Sequence, residues 1–382
     1  MPPTGPTPKL PLSALFALHK PSSSISMTLL NRLQPLFQQS LLFAQGEEGQ
    51  GGSSKGDKKK GKWKKGRKRD SRVKIGQGGT LDPLADGVLV IGTNSSTKHL
   101  SKFLSSTKTY IATGLLGCST DSYDSDGRVV AFKKWDHVSR SSVEHALSAF
   151  RGNITQVPPI YSALKMDGKP LYEYARSNTP LPKKIDARPC TVHSLELLSF
   201  HPGEEHAYRY PEKRLSVEER AEMRRVEELV QAAGVEGESA SVGTVGVGVG
   251  DGDKDVVGVE EEEEGRRPPA FTVMMEVSSG TYVRSIIHDI GIALGSAAHV
   301  VRLTRTRQGE FVSKDFDPML TDGKGDVDGE AVKTEDEKLF NAIPWSVFED
   351  ALGRLERGEK ACAEKEGEWE EWEREILENC KS

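Results

Sequence analysis

The order of predicted elements implies an α+β fold rather than a doubly wound parallel sheet. Strand-like and helix-like stretches mix without a regular βαβ repeat, several adjacent strands are joined by short turns, and no solenoid period runs through the 382 residues. That length suits one or two domains and can bury a core without disulfides, metals or oligomerisation.

Residues 10–20 (LPLSALFALHK) read as a first strand, and 25–44 as an amphipathic helical stretch that Pro35 interrupts. Residues 46–70 are rich in Gly, Ser and Lys, can bury nothing, and are expected as a disordered loop. A short strand near Arg72–Ile75, a Gly-rich loop and a strand Val88–Gly92 follow. A helix near Thr97–Leu104 leads to the strand Thr109–Leu116, and the turn Asp121–Gly127 returns the chain into a strand over Arg128–Lys133. Ser141 and Glu144 stand at capping-box spacing for a helix ending at Phe150. Residues 153–188, punctuated by Pro and Lys, read as an extended surface segment.

From 201 to 268 the composition changes. Ser216 and Glu219 form a second capping box for a charged helix that Gly234 ends, and a Gly-rich run with five consecutive glutamates is expected to be disordered. Order resumes with the strand Phe271–Val277 and a helix from Thr281, whose Ile286, Ile290 and Leu294 share a face before Gly295 stops it. The main domain spans 10–320, and 321–382 is expected as a charged helical tail.

Hydrophobic residues make up only 36% of the chain, so an ordered core is diluted by polar stretches. The formal charge of −5 conceals segregation: 55–69 carries ten basic residues and one acid, whereas 236–264 carries ten acids and one lysine. The basic run reads either as a nuclear localisation signal or as an RNA-binding arm. No apolar run is long enough to cross a bilayer, and the N-terminus gives only weak grounds for a mitochondrial presequence. Cys118, Cys190, Cys362 and Cys380 lie far apart, which argues against a zinc cage and for reduced intracellular thiols.

HExxH, GxSxG and GxxxxGK[ST] are all missing, and no metal or cofactor is expected. The acidic turn Ser122–Gly127 departs from a calcium loop at its first position and at its twelfth, Lys133, and reads as structural. KIGQGGTLDPLADGVLVIG (Lys74–Gly92) stands apart. Gly76, Gly78 and Gly79 free the backbone for close approach by another molecule, and Pro83 biases Asp82 toward an extended conformation. Read alone, the Asp-Pro pair favours an Asx-type turn between strands.

This segment resembles the signature of the TruB family of tRNA pseudouridine synthases, whose catalytic aspartate falls on Asp82. Further blocks in the same order are similar to that family's: LFALHKPSSSIS with Lys20 and Pro21, Lys108–Val130 with Tyr110, Arg151–Arg176, SSGTYVRSIIHDIG with Tyr282 and Arg284, and VVRLTR with Leu303. The resemblance implies a pseudouridine-synthase fold with a mixed, mostly antiparallel central sheet flanked by helices. It implies Asp82, Tyr110 and Arg284 as catalytic. Lys20, Gln77, Gly78, Gly79, Tyr282 and Leu303 would serve substrate binding, and Lys165, Lys169 and Arg176 an RNA grip over 153–188. Many bacterial members have histidine where this chain has Gln77, so no acid–base role is assigned there.

The wording is most similar to the eukaryotic branch. It implies isomerisation of a T-loop uridine in tRNA (position 55), with some mRNA as further substrate, by a monomer without guide RNA, in the nucleus and the mitochondrion. Two rivals stand beside this reading: a catalytically silent tRNA chaperone of the same fold, and a guide-RNA-dependent synthase. The latter is disfavoured because nothing after about residue 320 resembles the extra RNA-binding domain of such relatives.

Overall fold

A computed structural model describes residues 9–44, 72–159, 161–162, 164–177, 182, 185–220, 266–314 and 339–381. The expected loop 46–70 and the low-complexity run after residue 220 lie outside these residues.

The strands are β1 (Leu15–Lys20), β2 (Ile75–Gln77), β3 (Asp86–Thr93), β4 (Lys108–Leu116), β5 (Cys118–Thr120), β6 (Val129–Phe132), β7 (Gly152–Gln156), β8 (Lys165–Met166), β9 (Lys169–Pro170), β10 (Arg188–His201), β11 (Ala270–Val277), β12 (Ala298–Gln308), β13 (Phe311–Val312), β14 (Phe340–Asn341) and β15 (Ile343–Pro344). The α-helices are α1 (Ser26–Gln39), α2 (Leu100–Ser105), α3 (Arg140–Leu147), α4 (Leu171–Arg176), α5 (Val283–Ala293), α6 (Trp345–Glu356) and α7 (Glu371–Glu378). Eleven strands make one sheet in the order β15-β1-β3-β12-β4-β11-β10-β7, with β2 on β3 and β13–β14 on β12. Pairs β1/β15, β3/β12 and β13/β14 are parallel and the others antiparallel, so the α+β class and the mixed, mostly antiparallel sheet are both observed.

Alternation along the central strands covers both faces. Phe16 and Leu18 of β1 and Leu89 and Ile91 of β3 enter the main core beneath the helices. Leu15, Ala17, Val88 and Val90 point the other way, into a second cluster with Leu100, Phe103 and Phe311. The antiparallel register β1/β3 sets Lys20 opposite Gly87, so the end of the first strand lies beside the loop that precedes β3. Strands β12 and β4 run antiparallel with Arg305 opposite Tyr110.

Several expectations need correction. Helix α1 runs through Pro35: Leu33, Leu36 and Phe37 are fully buried, and their burial outweighs the roughly 3 kcal/mol that an interior proline costs. The first strand begins at Leu15 rather than at 10. The cap of α3 is Ser139, whose box partner is Ser142, so the Ser141–Glu144 spacing was two residues out. Residues 153–188 are not simply extended: β7 joins the sheet edge, and the β8–β9 hairpin packs with α4 around Met166, Leu171, Tyr174 and Ile185. Between them and the next block lies β10, fourteen residues long, for which no element was predicted.

From residue 339 the C-terminal stretch carries helices α6 and α7 and packs against the main domain. β15 pairs with β1, and Trp372, fully buried, stacks on Phe37 with ring centroids 5.4 Å apart. Its apolar residues recur at helical spacing (Trp345, Phe348, Leu352; Trp369, Trp372, Ile376) beneath a charged outer face. The Ser216–Glu219 capping box forms in both directions, and the segment before it is pinned by a Tyr210 hydroxyl that donates to the Leu116 carbonyl.

Candidate active site

The loop between β2 and β3 carries Asp82. It is held from three sides. Gln308 of β12 donates to the carbonyls of Gly78 (2.7 Å) and Phe103 (2.9 Å), clamping the Gly-rich turn against α2. A Cβ on Gly78 would sit 2.8 Å from the Cβ of Phe103, and Gly79 has φ +139°, so both positions need glycine. On the other side, Ser26 at the start of α1 donates to the Leu81 carbonyl at 3.1 Å, and Ser22 donates to that of Leu84 at 2.6 Å.

Lys20 supplies the third tie. Its side chain is fully buried, and its ammonium donates to the carbonyls of Pro21 (2.9 Å), Pro83 (3.1 Å) and Ala85 (2.6 Å). Burial pushes its pKa down to about 8, against the pull of Asp86 and Asp82. Lys20 therefore shapes the loop from behind.

Asp82 keeps 37% of its side chain exposed, whereas its partner Arg284 keeps 4%. Arg284 sits in the first turn of α5. Its Nε donates to Asp82 Oδ2 at 2.8 Å, Nη1 to the Ser122 carbonyl at 2.6 Å, and Nη2 to the Tyr161 carbonyl at 2.9 Å. Nη1 also lies 3.5 Å from Asp124 Oδ2. Burial opposes the guanidinium charge, but Asp82 and Asp124 outweigh it and hold the pKa above its ordinary value. A buried fork thus presents one carboxylate to solvent in a fixed direction.

Asp124 is the residue that sequence reasoning missed. The acidic turn is structural, as expected, since Ser122 Oγ donates to Asp124 Oδ1 at 2.5 Å and the Arg128 amide to Asp121 Oδ1 at 2.8 Å. Yet it also delivers Asp124 and the Ser122 carbonyl to Arg284. Asp124 is buried, and desolvation raises its pKa to about 6 despite Arg284 and the Ser122 hydrogen bond. No sequence signal distinguished it from the other acids of the turn. Among the described residues no group of His, Cys, Asp and Glu could hold a metal ion.

The remaining predicted residues fall into two groups. Tyr282 is the N-cap residue of α5, and its peptide is clamped by Gln156 of β7, which accepts from Tyr282 N (2.8 Å) and donates to Tyr282 O (2.9 Å). Tyr110 is half-buried on β4, beside Arg305. Gln77 ends β2, and its Nε2 donates to Thr80 Oγ1 at 3.1 Å. Leu303 is 4% exposed within the main core. Lys165 and Lys169 belong to the separate β8–β9 hairpin, where Lys165 is exposed and the Lys169 ammonium lies over the Tyr174 ring at 4.6 Å. Arg176 ends α4, and its side chain is outside the described residues.

The family model described as "TruB family pseudouridylate synthase (N terminal domain)" matches residues 66–219. A protein of Schizosaccharomyces pombe named "tRNA pseudouridine synthase 4" is 38% identical over 330 residues, covering 79% of this chain and 80% of that one. Its namesake in Saccharomyces cerevisiae is 32% identical over 373 residues, covering 91% and 89%. A solved Cbf5–Nop10–Gar1 complex matches with a TM-score of 0.39 and 20% identity; 78% of this chain is covered, and this chain spans about half (49%) of that one. The class of the protein is therefore that of pseudouridylate synthases, which are isomerases. The chain belongs to the TruB family.

Proposed function

We propose that the chain converts a uridine in the T-loop of tRNA (position 55) to pseudouridine, alone and without a guide RNA. The observation that carries this reading is the solvent-facing carboxylate of Asp82, fixed at 2.8 Å by the buried Arg284 in the loop that resembles the family's catalytic block. Relatives named as tRNA pseudouridine synthases support tRNA as the substrate class.

The reaction breaks the bond from the ribose C1′ to N1 of uracil, turns the base, and joins C1′ to C5. N1 gains a proton and C5 loses one, so no redox or phosphoryl chemistry is involved. Asp82 acts as the carboxylate, at the sugar or at C6 of the base. Arg284 keeps it aimed, and Asp124 with the carbonyls of Ser122 and Tyr161 keeps Arg284 in place. The target base leaves its stack at a cost of a few kcal/mol, part of which stacking on Tyr110 returns. Gly79 lets the RNA backbone approach while Gly78 packs the turn against Phe103, Tyr282 contacts the target nucleotide with Leu303 as core support, and Lys165, Lys169 and Arg176 meet phosphates. Residues 55–69 direct the chain to the nucleus, with the mitochondrion as a second site of action. The enzyme works as a monomer and takes some mRNA sites that mimic the T-loop.

Pseudouridine mapping on an unmodified tRNA transcript incubated with the purified chain alone tests this. The expected product is a single pseudouridine in the T-loop. Product that requires added guide RNA, or binding without product, would favour one of the rivals.

A further inference from the structure

Six large apolar side chains are exposed among the described residues, and Ile25, Met27 and Leu104 lie on segments tied to the Asp82 loop. Leu104 is the most closely placed. It lies in the last turn of α2 at 54% exposure, next to Phe103, which is 3% exposed and packs inward against the Gly78–Gly79 turn. Its Cδ2 lies 3.8 Å from where a Gly79 side chain would begin. Its carbonyl accepts from the Ser279 hydroxyl and from the buried Lys108 ammonium at 2.9 Å. Ser279 belongs to the loop that leads into Tyr282 and Arg284. Leu104 is thus fixed at the junction of the two segments that carry Asp82 and Arg284.

The Leu104 backbone is held at this junction while its side chain stays half in water beside the Gly79 turn, free to meet an incoming apolar surface. Lys98, His99 and Lys102 are exposed on the same turns, so the surface around it suits a polyanion. RNA whose target base has swung out has an opened stack, and apolar side chains fill such gaps between bases. We propose that Leu104 packs against the nucleobase beside the flipped uridine and helps to hold the stack open. This rests on the RNA-modifying reading of the Asp82 site, and the occupant is the substrate RNA.

The test compares L104S, L104K and L104M with wild type on an unmodified tRNA transcript, by kcat/KM and by fluorescence of 2-aminopurine placed beside the target. L104S loses about tenfold in kcat/KM, the size expected for losing the burial of a leucine side chain, with an unchanged thermal midpoint. L104M stays within about twofold of wild type, while L104K falls as far as L104S although it adds a charge complementary to phosphate. The 2-aminopurine signal on binding falls in L104S and L104K. V217S, at an exposed apolar residue outside the Asp82 loop and α2, is the unaffected control. If L104S proves unstable, L104K and L104M compared below their unfolding temperatures decide the matter. L104S within twofold of wild type, or L104K at or above it, overturns the inference. A wild type that makes no pseudouridine refutes the underlying functional reading instead.

Discussion

Replacing Arg284 with Gln removes the buried centre of the site, and the cost should depend on pH in a defined direction. Breaking a buried ion pair by deleting one partner costs about 3–5 kcal/mol. Here the loss comprises three hydrogen bonds, to Asp82, Ser122 and Tyr161, and the charge facing Asp124. In the wild type Asp124 titrates at about 6, raised from 3.8, so its contribution to stability is full below about 3.8 and lost as pH rises through about 6. Without Arg284 its pKa climbs further, and the variant keeps Asp124 protonated at neutral pH. Between pH 6 and 7.5 the two proteins then differ by one proton, worth about 1.4 kcal/mol per pH unit, or about 2 kcal/mol in all. The expected destabilisation is about 4 kcal/mol at pH 7.5 and about 2 kcal/mol at pH 5, read from urea unfolding with the slope checked for each protein. A loss below about 1 kcal/mol at pH 7.5, or the same loss at both pH values, would refute the argument.

Lys20→Met strands three carbonyl oxygens behind the Asp82 loop and should cost at least about 3 kcal/mol in urea unfolding, with activity lost even where the variant remains folded. Trp372→Ala should cost about 3–5 kcal/mol, a core-sized effect; a loss under 1 kcal/mol would mean that the C-terminal helices contribute little. The activity of the wild type should fall as pH drops through about 6, where Asp124 gains its proton, and Asp124→Asn should abolish that limb of the profile. Replacing the ten Lys and Arg of 55–69 with Ser should barely change tRNA affinity or its salt slope; a clearly shallower slope would assign the run to RNA binding.

The blocks around Asp82, Tyr110 and Arg284 were legible because several short motifs stand in the family's order along the chain, and α+β followed from the irregular alternation of strands and helices. What escaped depended on burial. Nothing in SYDSDG tells which aspartate turns inward, yet only Asp124 is taken from water and set beside Arg284. Trp369, Trp372 and Ile376 repeat at helical spacing, but ten acids in the last 27 residues obscured the apolar stripe that docks on α1. Pro35 was read by its local cost, which the burial of its neighbours overrides. The backing role of Lys20 was likewise hidden, since its acceptors Pro83 and Ala85 lie more than sixty residues away.

The central claim is that Asp82, held by Arg284, performs the chemistry. Release of tritium from tRNA labelled at C5 of uridine tests it directly, because C5 exchanges its hydrogen for the bond to the sugar. With purified enzyme in excess, the wild type should release the label of one T-loop uridine per tRNA, while Asp82→Asn should release none and still bind the tRNA within a few-fold of wild-type affinity. Tritium release by Asp82→Asn at the wild-type rate would contradict the account.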